Sequence, residues 1–321
     1  MFDKLEVFFT NHAVLSQELM WGIFGVVVLA LLFFDLFVFN RKNEVPDFKH
    51  TLILCVLYIV AACLFGVFVI YEKGLDLGMD YFTGFLVEKS LSLDNIFIMS
   101  LVFSSIGGPR EYQHRVLFWG ILGAIVMRAL LIYVGEALIV HFHWVLYVFS
   151  AILVYTGIKM LLDKEEKEGD FRESKIYKFI SKTFRVTKKL HGERFIVERA
   201  NKYYMTPLFF ALLIIETMDV IFALDSIPAI FLITQDVFVV YTSNIFAILG
   251  LRALYFLLEA VVHKFKYLKP ALALILVFIG LKIFVPKLFG FELEAIHSLS
   301  VTFGLLFGGI VFSIIRDKKV Q

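Results

Sequence analysis

The sequence has very little cysteine, and its two cysteines do not form a recognisable site. Cys55 and Cys63 lie in one apolar stretch without the spacing of a metal-binding motif. We therefore expect them to be small apolar packing residues, which argues against a zinc site or a disulfide framework. The sequence also lacks a Walker motif, so ATP hydrolysis by this chain is not expected.

We also expect no cleavable signal peptide in the first residues. Segment Met1–Glu18 is acidic rather than basic, and the apolar run Trp21–Phe39 that follows has no small-residue cleavage site after it. We expect this run to remain in the protein as a transmembrane helix.

Apolar residues, in contrast, are abundant. They make up 60% of the chain, and the mean hydropathy is +0.83, which is above the range of soluble domains. A transmembrane helix needs about 20 mostly apolar residues. Nine stretches meet this requirement, at residues 19–39, 50–71, 81–105, 114–139, 144–162, 205–233, 238–262, 269–287 and 296–315. The predicted fold class is an all-α membrane protein with about nine transmembrane helices.

The charge of the loops predicts the orientation of the chain. Lysine and arginine cluster after the first, third, fifth and seventh spans and at the C-terminus, whereas the opposite side has only Lys4, Lys73 and Lys287. By the positive-inside rule, the N-terminus lies outside and the C-terminus lies in the cytoplasm. We expect a multi-pass protein of the bacterial cytoplasmic membrane.

Part of the first half of the chain recurs in the second half. The tripeptide that begins at Arg128 recurs at Arg252, and at nearly the same offset Gly157-Ile-Lys resembles Gly280-Leu-Lys. Matches that include charged residues are informative because such residues are rare inside membranes. Spans three to five start on the opposite side from spans six to eight, so we predict two inverted three-helix repeats. In transporters with this plan, the substrate site lies near the membrane midplane.

These boundaries divide the chain into five predicted regions. They are an N-terminal two-helix region (1–80), a first repeat (81–162), a cytoplasmic loop (163–204), a second repeat (205–287), and a last span with a cytoplasmic tail (288–321). The loop mixes basic and acidic residues, so we predict a solvated linker near lipid headgroups and no binding of nucleic acid.

Charged side chains within the predicted spans are the strongest functional signal. On insertion scales a charge at a helix centre costs about 2.5–3.5 kcal/mol, so each one needs a partner or a function. The candidate metal ligands on the third and sixth spans are Glu88, Asp94, Asn95, Glu216, Asp219 and Asp225. The supporting or counter-charge candidates are Lys89, Arg128, Ser226, Asn244 and Arg252. Because the five acids outnumber the three bases, either some acids are protonated or a cation completes the site.

The chemistry of these ligands indicates the kind of ion. Pro228 removes a backbone donor from the carbonyl of Leu224, which predicts a kink or an unwound turn near Asp225. Such a break would free carbonyl oxygens to join the carboxylates. Oxygen ligands suit Mg²⁺, Ca²⁺ or Mn²⁺, and the absence of Cys and His near the cluster argues against Zn²⁺ and Cu⁺.

Three motifs resemble the signatures of a known family. The runs 88–95 (EKSLSLDN), 216–228 (ETMDVIFALDSIP) and 243–256 (SNIFAILGLRALYF) are similar to the TerC family of integral membrane proteins, most closely its Alx-type branch. This resemblance covers nearly the whole chain, and all five acids match the family pattern. It implies manganese export across the cytoplasmic membrane and an association with tellurite resistance. For some members it also implies metal loading of secreted proteins beside the secretion machinery.

The leading hypothesis is therefore a divalent-cation exporter with Mn²⁺ as its cargo and no prosthetic group. An intramembrane aspartyl protease is disfavoured because Asp94 and Asp225 lack the Gly-x-Gly-Asp context of that class, so no enzymatic activity is predicted. A membrane scaffold that assists metallation or a stress response, with the loop 163–204 as its docking surface, stays open. Besides the bilayer and the cation, the secretion machinery and a second copy of the chain are the candidate partners. The residues leave open the direction, the coupling ion and the choice among Mn²⁺, Ca²⁺ and Mg²⁺.

Overall fold

The computed structural model describes residues 15–35, 48–106, 110–142, 144–162, 186–187, 190–199, 202–258, 268–282, 284 and 295–317. The helices are α1 (Gln17–Phe34), α2 (Phe48–Lys73), α3 (Leu75–Ile106), α4 (Arg110–His141), α5 (Val145–Leu162), α6 (Pro207–Ile233), α7 (Val237–Ile248), α8 (Leu251–Leu258), α9 (Leu268–Lys282) and α10 (Ala295–Asp317). Two short strands, β1 (Ile196–Arg199) and β2 (Lys202–Met205), lie before α6.

A helix lies at each of the nine predicted positions. Within the described residues, seven stretches are long and apolar enough to cross a membrane: α1, α2, α4, α5, α6, the pair α7–α8, and α10. Helix α3 has 32 residues but carries Glu88, Lys89 and Asp94, and the described part of α9 has only 15 residues. The prediction of an all-α membrane protein is confirmed, and its orientation stays a prediction.

Local signals in the sequence explain where several helices begin. Ser16, Thr206 and Asp236 are the N-cap residues of α1, α6 and α7, and each side chain accepts a hydrogen bond from a backbone N–H in the first turn. Pro207 follows Thr206 at the first helical position, where its missing N–H has no cost.

The predicted seventh span is divided into two helices at Gly250. Its φ of +74° lies in the left-handed region, and a Cβ there would meet the ring of Tyr58 at 2.8–2.9 Å. Both the backbone conformation and the close approach of α2 therefore require glycine at this position. The break between α7 and α8 was not predicted, although a glycine inside an apolar run is a recognised signal for one.

The predicted cytoplasmic loop contains a β-hairpin that the sequence analysis did not anticipate. Strands β1 and β2 are antiparallel, with Ile196 opposite Met205 and Arg199 opposite Lys202. The segment 163–185, which forms most of the docking surface in the scaffold hypothesis, lies outside the described residues.

Helix α7 lies at the centre of the fold. The candidate span that α7 and α8 form together is the most buried of the seven. Helix α7 packs against α3, and α4 packs against α6, while α3 and α6 also contact each other. Helices α1 and α10 lie at the periphery, with side chains such as Val26, Leu29 and Phe303 exposed, as expected for a surface that faces lipid. The arrangement places α3, α4, α6 and α7 around one buried centre.

The contact between α5 and α9 is reciprocal. A Cβ on Gly157 would meet the carbonyl oxygen of Ala273 at 2.7 Å, and a Cβ on Gly280 would meet the carbonyl oxygen of Ser150 at 3.0 Å. In the predicted repeat, Gly157 corresponds to Gly280 and Ser150 to Ala273, so each repeat makes the same contact with the other. Likewise, α3 packs on α7 as its predicted counterpart α6 packs on α4. These contacts agree with the predicted inverted repeat, which stays a prediction.

Candidate cation site

The centre of the four-helix cluster is the guanidinium of Arg128 on α4. Only 1% of Arg128 is exposed. Its Nε and Nη2 donate hydrogen bonds to the two carboxylate oxygens of Asp219 at 3.2 and 2.9 Å, and its Nη1 donates to Glu88. Nη1 also donates to Oδ1 of Asn244 at 2.8 Å. One arginine therefore connects α3, α6 and α7 through paired, charge-assisted hydrogen bonds.

Two asparagines complete this network. Asn244 donates from Nδ2 to Oε2 of Glu88 at 3.3 Å, and Asn95 donates from Nδ2 to Oδ1 of Asp219 at 3.2 Å. All of these residues are buried. A buried polar network of this kind fixes the relative positions of the helices that supply it, because breaking any bond leaves a polar group without a partner.

The network holds two carboxylates and one guanidinium. The predicted repeat also aligns Ser92–Ile96 with Ala223–Ile227, and in this register Glu88 corresponds to Asp219. Arg128 therefore bridges two residues at equivalent positions of the predicted repeat. The formal charge of these three side chains is negative by one. Their burial makes the positive partner essential, since a buried charge without a partner is strongly unfavourable.

Three buried oxygen atoms of predicted site residues accept no hydrogen bond from the described residues. They are Oδ1 of Asn95, Oε1 of Glu216 and Oγ of Ser226. Glu216 lies one helical turn before Asp219 and packs against Gly123 of α4, where a Cβ would overlap its carboxylate. These atoms are oxygen ligands on α3 and α6 with unused lone pairs.

A small cavity adjoins Asn95 and Asp219. Its volume is about 10 Å³, which is close to the smallest space that holds one water molecule. The side chains that line it are Asn95, Met99, Ile215, Met218, Asp219 and Phe222. The cavity therefore lies between α3 and α6, against one edge of the network.

Other predicted site residues lie apart from this network or outside the description. The side chains of Asp94 and Asp225 fall outside the described part of the structure. Arg252 on α8 forms an ion pair with Asp35, so it is a counter-charge for α1 rather than for the acid cluster.

Lys89 donates from Nζ to the carbonyl oxygen of Ala247 at 2.9 Å. That carbonyl belongs to the last turn of α7, which has no intrahelical donor because the helix ends there.

The sequence predicted a kink or an unwound turn near Asp225, and the unwound turn is wrong. Helix α6 continues from Pro207 to Ile233 with Pro228 inside it. Proline removes a single hydrogen bond, and tight packing of the surrounding helices compensates for that loss in a membrane protein. The helix break lies at Gly250 instead, and it leaves the buried carbonyl oxygen of Ala247 to accept a hydrogen bond from Lys89.

Within the described ranges, no three His, Cys, Asp or Glu side chains lie close enough together to hold a metal ion. The guanidinium of Arg128 explains this result in part, because it stands between Glu88 and Asp219. The sequence analysis found both acids but did not identify Arg128 as their common partner. Gly123 and Met99 were also missed, since only their position against the acids marks them.

Comparisons with known proteins agree with the resemblance carried by the sequence motifs. A sequence model described as the integral membrane protein TerC family matches residues 73–321. An uncharacterized membrane protein of Rickettsia felis is 50% identical over 94% of this chain and 99% of its own. A protein of Salmonella typhi, named as a proposed membrane-bound redox modulator, Alx, is 40% identical over 95% of this chain and 98% of its own. No solved structure matches the chain.

Proposed function

The chain belongs to the TerC family of integral membrane proteins, and on that premise we propose that it transports divalent metal ions and exports Mn²⁺ from the cytoplasm. The observation that carries the proposal is the pair of buried carboxylates, Glu88 and Asp219, that α3 and α6 bring together inside a multi-pass membrane protein. Ionisable groups buried at this depth are costly, and in membrane proteins they mark ion pathways.

The neighbouring atoms support a hard cation as cargo. The unused oxygens of Asn95 and Glu216 lie beside Asp219, and neither atom accepts a hydrogen bond from the described residues. Carboxylate and amide oxygens suit Mn²⁺, Mg²⁺ and Ca²⁺. Manganese in particular follows from the family resemblance and not from the geometry.

The proposed mechanism is alternating access around this buried pair. With the orientation that the loop charges predict, the N-terminus of α6 lies at the cytoplasmic surface. Glu216 therefore lies closer to the cytoplasm than Asp219. An ion from the cytoplasm would meet Glu216 first and then exchange its water ligands for Asp219 and Asn95. Movement of one predicted repeat against the other would open the pair to the outer side. The proposal requires neither a prosthetic group nor a catalytic step.

The Alx relatives are named for a redox role, but the two cysteines of this chain cannot form a disulfide with each other. Cys55 and Cys63 are eight residues apart on α2, which places them about 12 Å apart along the helix axis. That separation is beyond the reach of a disulfide. Metal transport is therefore the function that the described site supports best.

Export of Mn²⁺ from living cells tests the proposal. Cells that express Glu88→Gln or Asp219→Asn should accumulate Mn²⁺ like cells without the protein, because each variant removes one carboxylate from the pair. Glu193→Gln is the matched control, since Glu193 pairs with Arg115 outside the buried centre and should clear Mn²⁺ like the wild type. Normal clearance by both Glu88→Gln and Asp219→Asn would show that the site is wrong. The same assay with Asp94→Asn and Asp225→Asn tests the two acids that the sequence alone assigns.

A further inference from the structure

The position of Arg128 has a consequence for how a cation binds. We propose that Arg128 is a built-in competitor for the transported cation: its guanidinium holds Glu88 and Asp219 when the cation is not bound to them, and it must release Asp219 for the cation to bind. The inference rests on the proposed function, and it assigns to Arg128 a role beyond steadying the helices.

The hydrogen bonds of the two carboxylates carry the inference. Oδ1 of Asp219 accepts from Arg128 and from Asn95, and Oδ2 accepts from Nε of Arg128. One oxygen of Glu88 accepts from Arg128 and the other from Asn244. Every oxygen of both carboxylates therefore faces an N–H donor. Some lone pairs remain, because a carboxylate has about four acceptor sites, but the guanidinium bridges the two carboxylates. A cation that bridges the same two carboxylates would meet this positive charge, so the guanidinium must release one of them.

The positive charge of Arg128 gives a physical reason for its place between the two carboxylates. Two buried carboxylates with no positive partner would repel each other and pay the full cost of burial. The guanidinium, which stays protonated in proteins, removes most of that cost without any bound ion. A tethered positive charge of this kind allows the helices to change conformation without cargo, because the pair is never left uncompensated.

A second arginine in the same protein provides the comparison. Arg252 occupies the position equivalent to Arg128 in the predicted repeat and is similarly buried, at 5% exposed. It pairs with the single carboxylate of Asp35 and lies outside the network around Asp219. Arg252 is thus a buried arginine whose removal costs an ion pair but frees neither Glu88 nor Asp219.

Binding of Mn²⁺ to the purified full-length protein in detergent, measured by titration calorimetry, tests the inference. Arg128→Gln keeps a donor for the carboxylates but removes the charge, so it should bind Mn²⁺ more tightly than the wild type by about tenfold or more, which corresponds to about 1.4 kcal/mol of lost competition. Arg128→Lys should shift the affinity in the same direction by less, because an ammonium cannot contact both carboxylates as a planar fork. Arg252→Gln should leave the affinity unchanged.

The outcomes separate the inference from the proposed function. If the wild type binds Mn²⁺ and folded Arg128→Gln binds it equally or more weakly, Arg128 is a structural residue and the inference is wrong. If Arg128→Gln does not fold, Arg128→Lys decides, and an unchanged or weaker affinity in that variant overturns the inference. If neither the wild type nor any variant binds Mn²⁺, the proposed function fails, and the inference fails with it.

Discussion

Asp219 is the residue on which the donors of the buried centre converge, and its contacts make the charge of the carboxylate indispensable. It accepts two hydrogen bonds from Arg128 and one from Asn95. A carboxylate at this depth is kept only with partners or for a function, and the structure shows the partners of Asp219. The neighbouring carboxylate of Glu216 has an oxygen without a described donor, so it is the less constrained of the two acids on α6 whose side chains are described.

The small residue that makes room for Glu216 gives a test at this scale. A Cβ on Gly123 would overlap the Glu216 carboxylate, so Gly123→Ala should push that side chain aside. We expect slower Mn²⁺ transport and a loss of about 1–3 kcal/mol in the free energy of unfolding, as for overpacking elsewhere. Transport is measured as Mn²⁺ export from cells and stability by denaturation in detergent.

Gly120 provides the control for this substitution. It lies one turn earlier on α4, and a Cβ there would meet Ile215, Leu212 and Glu216 at 3.7–3.9 Å, which are ordinary contacts. Gly120→Ala should therefore transport normally. Equal behaviour of the two variants would show that the space around Glu216 does not matter for transport.

The sequence singled out Glu88 and Asp219, the two acids of the buried network, because charges inside apolar spans stand out. The sequence could not predict which acid each of the two mid-span arginines pairs with. Arg128 and Arg252 occupy equivalent positions in the predicted repeat, yet one joins Glu88 and Asp219 and the other pairs with Asp35. That difference depends on which helix faces which, and a pattern along one chain does not contain this information.

At the scale of helices, the break between α7 and α8 links backbone geometry to the buried centre. The chain turns at Gly250, and the end of α7 presents the carbonyl oxygen of Ala247 to the ammonium of Lys89. Lys89 follows Glu88 directly on α3, so the end of α7 holds the segment that carries one carboxylate of the pair. The break therefore contributes to positioning the site.

Gly250→Ala tests this contribution. The left-handed conformation costs a residue with a Cβ about 1–2 kcal/mol, and the new methyl group would also meet Tyr58. We expect a lower midpoint of thermal unfolding and slower Mn²⁺ transport. Gly304→Ala is the control, because nothing lies within 4 Å of the added Cβ in α10. If Gly250→Ala matched Gly304→Ala in both measurements, the break would have no role in the site.

Helix positions were predictable from the sequence to a greater extent than helix continuity. Apolar runs near 20 residues predicted the positions at which the described helices lie, because the thickness of the bilayer fixes the length of such runs. The unwound turn at Pro228 was predicted wrongly, and the break at Gly250 was not predicted. Whether a proline or a glycine interrupts a helix depends on the packing around it, which the local sequence does not determine.

At the scale of the whole molecule, the orientation in the membrane decides from which side an ion reaches Glu216. The loop charges predict that Gln235, between α6 and α7, faces the outside and that Tyr203, in strand β2, faces the cytoplasm. Both residues are exposed, so cysteines at these positions would be accessible to reagents. The two native cysteines, Cys55 and Cys63, can be replaced by alanine to give a background without thiols.

A membrane-impermeant maleimide then reports the orientation in intact spheroplasts. Gln235→Cys should be labelled directly, whereas Tyr203→Cys should be labelled only after the membrane is permeabilised. The reverse pattern would place the C-terminus outside and would make Glu216 the last described acid on the path out rather than the first.

The flux of Mn²⁺ into proteoliposomes tests the central claim most directly. Vesicles that contain the purified protein and an Mn²⁺-sensitive dye are placed in a Mn²⁺ gradient, and the initial rate is compared between the wild type and Asp219→Asn. The account predicts protein-dependent influx that Asp219→Asn reduces by at least about tenfold, equivalent to about 1.4 kcal/mol or more in the barrier. Influx at the wild-type rate through correctly folded Asp219→Asn, or no influx above empty vesicles with the wild type, would contradict it.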